Sequence, residues 1–207
     1  STTDRNTIGV YPLRGKLFNV RGEAAKRISE VKEIHEIKQI VGLEAGKKYT
    51  PDEAKKLLRY GKVLFMTDQD LDGSHIKGLC INLFDAEWAT LLAIPGFIGF
   101  MNTPIIKAKK GVQEKLFYND GEYEQWKAQN TATLKGWTFK YYKGLGTSTG
   151  KEFKEYFKEK KVIYFNWNNE ESSEYIDMVF NKKRSDDRKD WLSNYNRELY
   201  LDTNKTS

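Results

Sequence analysis

Lys62-Val63-Leu64-Phe65-Met66-Thr67 runs directly into Asp68-Gln69-Asp70-Leu71-Asp72-Gly73-Ser74-His75, and the fold turns on how this junction is read. The first six residues form a compact, mostly apolar run with the length of a buried strand. Beyond the acidic loop, Ile76 to Leu92 reads as a helix, ended by Pro95-Gly96. A strand passing through a short polar loop into a helix is the unit of an α/β domain. In open α/β sheets, functional groups gather at the carboxyl ends of strands, where a crevice forms. Asp68, Asp70 and Asp72 alternate at that point. Like charges so close repel one another, so a cation is expected to neutralise them if they converge. Oxygen donors without a neighbouring Cys favour Mg²⁺, Mn²⁺ or Ca²⁺ over zinc.

Two other readings compete with a metal loop. An Asp-rich turn can simply be solvated. An EF-hand is the nearest named rival, because Asp68, Asp70, Asp72 and Gly73 match its loop positions 1, 3, 5 and 6. That loop requires a bidentate Glu at position 12, where this chain has Leu79, and its flank should be helical rather than strand-like. His75 can be read as a ligand, as a supporting or phosphate-facing residue, or as a helix-start residue bonded to backbone.

Outward from the junction, strand-like and helical segments alternate. Ile28, Val31, Ile34, Ile37 and Val41 have helical spacing within residues 23–41, which end at Gly42. Thr50-Pro51-Asp52-Glu53 combines an N-cap, a first-turn Pro and a capping-box Glu ahead of a short helix. Phe97–Met101, Ile105–Ala108 and Val112–Tyr118 are β-like segments, and residues 122–129 form a small helix. Trp137–Lys143 alternates aromatic and polar side chains up to the turn Gly144-Leu145-Gly146-Thr147. A second capping box, Thr149 to Glu152, opens a helix, and Val162–Phe165 suits a further strand. From about residue 166, helical pieces make an appendage. The pattern predicts an α/β domain with a mainly parallel sheet over residues 1–165 and a mostly helical extension over 166–207.

The chain holds 35 Lys and Arg against 29 Asp and Glu, a net charge of +6. That balance permits a polyanionic partner without requiring one. One cysteine, Cys80, rules out a disulfide framework, and with only His35 and His75 a zinc cluster has little material. No apolar run approaches the roughly 20 residues of a membrane span. The opening Ser1-Thr2-Thr3-Asp4-Arg5-Asn6 lacks the apolar core of a secretory signal and an initiator Met, as expected of a piece of a longer protein. Gly144–Glu152 fails both nucleotide-loop patterns: Glu follows Lys151, and the third Gly comes one residue late.

Met66–Leu79 (MTDQDLDGSHIKGL) closely resembles the acidic element of type IIA DNA topoisomerases, especially the eukaryotic enzymes. Three further segments agree in order: Tyr11–Val20 (YPLRGKLFNV), Tyr141–Ser148 (YYKGLGTS) and Lys182–Leu192. The resemblance implies a Toprim fold, a Rossmann-like parallel sheet flanked by helices. It further implies a Mg²⁺-dependent transesterase that breaks and rejoins both strands of a DNA duplex, with ATP hydrolysed in another domain. On that pattern Asp68 contacts both metal positions, Asp70 completes the second, and Asp72 supports them. Arg14, Lys16 and Lys143 match DNA-proximal cations, and His75 a supporting position. The family's first metal carboxylate, in an upstream E-G-D-S segment, and its attacking tyrosine, in a downstream winged helix, are not found here. Arg59-Tyr60 fits the tyrosine pattern only superficially. The implied partners are double-stranded DNA, the ATPase and winged-helix domains of the full protein, and a second copy of it. The implied compartment is the nucleus for a cellular eukaryote, or a host-cell compartment for a virus. The alternative is a Toprim domain of a primase or nuclease, against which the PLRGK and YKGLG segments speak.

Overall fold

In a computed structural model that describes residues 5–159, 161–165, 167 and 169–194, the predicted first helix is two. They are α1 (Ala25–Ser29) and α2 (Lys32–Val41), separated where Val31 turns extended (φ −77°, ψ 114°). Ile28 and Ile34 lie six residues apart, about 120° around an unbroken helix. The break lets both enter one core, where Ile34 is fully buried. Gly42 ends α2 in the left-handed region at φ 87°, its N–H bonded to the Lys38 carbonyl. Helix α3 (Pro51–Leu57) starts at the expected N-cap and first-turn Pro, the Thr50 side chain accepting from the Glu53 N–H, although only this half of the expected capping box forms.

The decisive junction folds as strand β1 (Val63–Phe65) followed by helix α4 (Leu71–Leu92). The helix begins five residues before Ile76, because Asp70 serves as its N-cap and accepts the Gly73 N–H at 2.7 Å. Asp72 therefore lies in the first helical turn. Near its end α4 kinks at Trp88 (φ −143°, ψ 51°), whose indole N–H reaches the Glu44 carbonyl at 2.8 Å.

After β2 (Ile98–Asn102) the chain leaves the first sheet for β3 (Ile106–Lys110), β4 (Gln113–Phe117), α5 (Asp120–Gln129) and β5 (Thr138–Tyr141). It returns through α6 (Gly150–Lys158) to β6 (Lys161–Tyr164). The α/β class holds, but the sheet pairing differs from a mainly parallel one. Central β2 pairs parallel with β1, in the register Val63 to Ile98, and antiparallel with β6, Phe100 facing Ile163. An antiparallel edge strand on such a sheet is common where the chain re-enters after an excursion. The excursion itself is an antiparallel sheet, β4-β3-β5, with Gly111 turning the β3–β4 hairpin at φ 60°.

Two cores follow. The larger gathers α2, α4, β1 and β2 side chains, including Phe65, Leu83, Phe84, Trp88, Leu91 and Ile98. The smaller unites Ile106, Ala108, Phe117 and Tyr123 with Trp126, Trp137 and Phe139 in edge-to-face ring contacts. The helical extension consists of α7 (Asn169–Phe180) and α8 (Ser185–Ser193). Helix α7 packs on α4, where a Cβ on Gly78 would lie 3.0 Å from the Phe180 ring. Residues 195–207 of the expected extension lie outside the described residues. Among the described residues no helix is long and apolar enough to cross a membrane.

Candidate metal centre

Strand β1 delivers Asp68 to the carboxyl edge of the sheet, where it meets the Gly144-Leu145 turn from the far part of the chain. The Leu145 N–H donates to Asp68 Oδ1 at 2.7 Å. A Cβ on Gly144 would lie 2.9–3.0 Å from the Asp68 carboxylate, so a side chain there would have to displace that carboxylate. From the other side Lys16 reaches Asp72, Nζ to Oδ1 at 3.4 Å. Lys16 is placed by its neighbours Leu17 and Val20, both buried in the larger core. Three segments well apart in sequence thus converge at the end of β1.

The three carboxylates have separate surroundings. Asp68 is half-buried against the turn, while Asp70 is exposed and spends Oδ1 on the α4 cap. Asp72 is exposed and paired with Lys16. Among the described residues they do not form a cluster of three or more acidic, His or Cys donors sized for an ion. Asp68 and Asp70 each keep a second carboxylate oxygen without a hydrogen bond among the described residues. One or two carboxylates with waters and substrate phosphates is the usual way Mg²⁺ is held, and oxygen donors of this kind have the chemistry such an ion takes. His75 is exposed on α4, its ring 6.4 Å from that of Phe180. Arg14 and Lys143 are exposed, Lys143 directly preceding the turn that touches Asp68.

Two groups that the sequence did not single out as site residues hold this arrangement. Glu152, 7% exposed, completes the capping box of α6 and also accepts from Lys140 at 2.7 Å, Lys107 at 3.1 Å and the Tyr142 hydroxyl. Burial pushes its carboxyl up, but the hydrogen bonds from Lys140, Tyr142, Thr149 and Lys107 outweigh it, so the group stays ionised far below the usual carboxylate range. Behind α4, Arg21 donates to Asn82 at 3.0 Å and Asp85 at 2.6 Å. Asn82 continues to Asn19, Asn19 to the Phe180 carbonyl, and Ser173 to Asp85, which ties α7 to the site helix. The available signal was Asn82 and Asp85, two polar residues inside the apolar run of α4. Asn82 is wholly buried there.

The Toprim domain family matches residues 1–97, and the C-terminal associated domain of TOPRIM matches residues 101–207. DNA topoisomerase 2 of Plasmodium falciparum is 50% identical over 204 residues, covering 98% of this chain and 14% of that protein. Human DNA topoisomerase 2-beta is 50% identical over 193 residues, covering 92% of this chain and 12% of that one. The chain is therefore similar to a small part of each relative. The crystal structure of the Plasmodium falciparum topoisomerase II DNA-binding, cleavage and re-ligation domain superposes with a TM-score of 0.78 at 48% identity, over 90% of this chain and 25% of that one.

Proposed function

The chain belongs to the DNA topoisomerase 2 family, as its Toprim domain with the C-terminal associated domain of TOPRIM, and from that membership we propose that it holds Mg²⁺ for DNA cleavage and religation in the full-length protein. The observation that carries this reading is the convergence at the end of β1: the Gly144-Leu145 turn closes on Asp68 while Lys16 reaches Asp72. Asp68 and Asp70 would hold the ion through their remaining oxygens, with Asp72 in support and Mn²⁺ or Ca²⁺ able to substitute. Bound there, Mg²⁺ supplies charge to the scissile phosphate and its departing oxygen.

The chain's own residues do the rest. The Leu145 N–H fixes Asp68 Oδ1 and so sets the orientation of the carboxylate as a whole. Arg14 grips phosphate through a planar fork of donors, and Lys16 and Lys143 act as point charges. His75 supports the same surface. The attacking tyrosine, ATP hydrolysis and the main contacts of a homodimer belong to other parts of the full-length protein, with residues 166–207 leading toward a winged-helix domain. The substrate is double-stranded DNA, whose topology changes through ATP-dependent passage of one duplex through another, and the compartment is the nucleus if the source is a cellular eukaryote, or a host-cell compartment if it is a virus.

The test is plasmid cleavage by the full-length protein carrying both Asp68→Ala and Asp70→Ala. A metal contribution of several kcal/mol predicts a loss of about a hundredfold or more. Cleavage that persists at the wild-type rate and Mg²⁺ dependence overturns the reading.

A further inference from the structure

Glu152 touches both ends of the turn that carries Lys143, Gly144 and Leu145. At the entry it accepts from the Tyr142 hydroxyl, and at the exit from the Thr149 N–H and hydroxyl, each at 3.1 Å. Lys140 on β5 and Lys107 on the neighbouring β3 complete its shell at 2.7 Å and 3.1 Å. Six residues separate the two anchored ends, and between them Leu145 makes its one side-chain-directed backbone bond, to Asp68 Oδ1. The turn itself is a single 3-10 turn over Leu145–Thr147, closed internally by the Thr147 N–H and hydroxyl on the Gly144 carbonyl at 3.2 Å and 2.6 Å and tied to α6 by Ser148 Oγ, 3.1 Å from the Tyr156 hydroxyl. Those bonds fix the turn's shape, while the Glu152 contacts at both of its ends fix where that shape sits against Asp68.

We propose that Glu152 is a positioning residue for the metal centre: by clamping both ends of the 143–148 turn, it holds the Leu145 N–H on Asp68 and fixes the direction of the free carboxylate oxygen. The inference rests on the proposed metal role of Asp68 and extends it to an acid that never faces the ion. Groups that orient a metal-bound carboxylate typically change metal affinity by about 10–100-fold when removed, although they contact no metal. Glu152→Gln preserves the shape and most of the hydrogen-bonding capacity but leaves Lys107 and Lys140 without their counter-charge. Tyr142→Phe removes only the bond at the turn's entry.

The experiment measures Mn²⁺ binding to the full-length protein by electron paramagnetic resonance, in wild type, Glu152→Gln, Tyr142→Phe, Asp68→Asn, and each of the first two combined with Asp68→Asn. Expected is about a tenfold weaker site in Glu152→Gln and a smaller loss in Tyr142→Phe. Neither should weaken binding further once Asp68 is changed, a coupling that general loosening of the fold does not produce. Amide exchange of residues 143–147 in metal-free protein should rise in both single variants. Unchanged Mn²⁺ affinity in both, or a full additional loss in the Asp68→Asn background, overturns the positioning role while leaving Asp68 as a ligand. Should Asp68→Asn bind Mn²⁺ like wild type, the metal reading fails and the positioning role falls with it. If Glu152→Gln does not fold, Tyr142→Phe and its double variant decide alone.

Discussion

Gly73 lies so close beneath Asp68 that a Cβ on it would sit 1.8 Å from the Asp68 carbonyl oxygen and 2.8 Å from its carbonyl carbon. The contact is with backbone, so no side-chain movement relieves it. Gly73 is also the residue whose N–H Asp70 caps, which locks loop and helix start into one unit.

Gly73→Ala accordingly sets two effects against each other. Within an ordinary helix the change favours folding by about 1 kcal/mol. Here the clash must push the Asp68 backbone away, and overpacking of that kind costs about 1–3 kcal/mol. The expected outcome is a lower melting temperature for the 207-residue chain together with weakened Mn²⁺ binding. A more stable variant would mean that the loop is looser than its geometry.

Arg21 joins α4 to α7. Its guanidinium meets Asp85, whose side chain is only 3% exposed, and lies 3.9 Å from Asp177 on α7. Arg21→Met leaves the Asp85 carboxylate buried without its cation, and breaking a buried pair from one side costs about 3–5 kcal/mol. Faster amide exchange across residues 169–180 is expected, because Ser173 and the Phe180 carbonyl hang on the same network. Adding Asp85→Asn should restore part of the loss by removing the unpaired charge. Exchange in α7 that stays at the wild-type rate would rule out this network as the tether.

What was legible in the chain divides along the range of the interactions. Local signals held: Thr50 and Thr149 cap their helices, Gly42 ends α2, and Pro95-Gly96 follows the end of α4. The early start of α4 was hidden because Asp70, valued for its charge, was also an N-cap, and both roles use the same carboxylate. The break before Val31 depends on where the core lies, which periodicity alone does not reveal. The antiparallel direction of β6 is not legible locally, since an isolated Val-Ile-Tyr run carries no mark of the partner it will pair with. The meeting of Leu145 with Asp68 spans 77 residues and carries no local mark in the sequence, while the Glu152 shell draws on three elements at once.

Glu152 also makes stability depend on pH in a defined direction. Its folded-state pKa is lowered, as its hydrogen-bond donors outweigh the opposing effect of burial. A lowered carboxyl contributes stability that is complete above the ordinary value of 4.5 and is lost as pH falls toward the folded-state value. Wild type should therefore exceed Glu152→Gln in stability by a constant margin from pH 6 to 7, on the order of 2 kcal/mol. Below about pH 4.5 the margin should shrink, because the wild-type unfolded state takes up a proton that the folded state refuses. Urea titrations at a series of pH values check this, and a margin that widens on acidification contradicts the assigned sign.

The cations around Asp68 carry a separate, salt-dependent signature. Lys16 and Asp72 are 59% and 77% exposed at 3.4 Å, a pair that contributes little in water, so Lys16 can exchange Asp72 for a phosphate at small cost. Lys143 is held beside the turn by its neighbours and keeps an exposed side chain. Every phosphate contact removed should lower the slope of log affinity against log salt by about 0.9, independent of DNA sequence. Full-length protein with Arg14→Ala, Lys16→Ala or Lys143→Ala should each show that change in duplex-binding titrations. Lys32→Ala, on α2 and paired with Glu36 at 3.8 Å, should leave the slope as it is. Slopes unchanged for all three would detach these residues from DNA, whereas a change in Lys32→Ala of the same size would trace the effect to net charge rather than to the site.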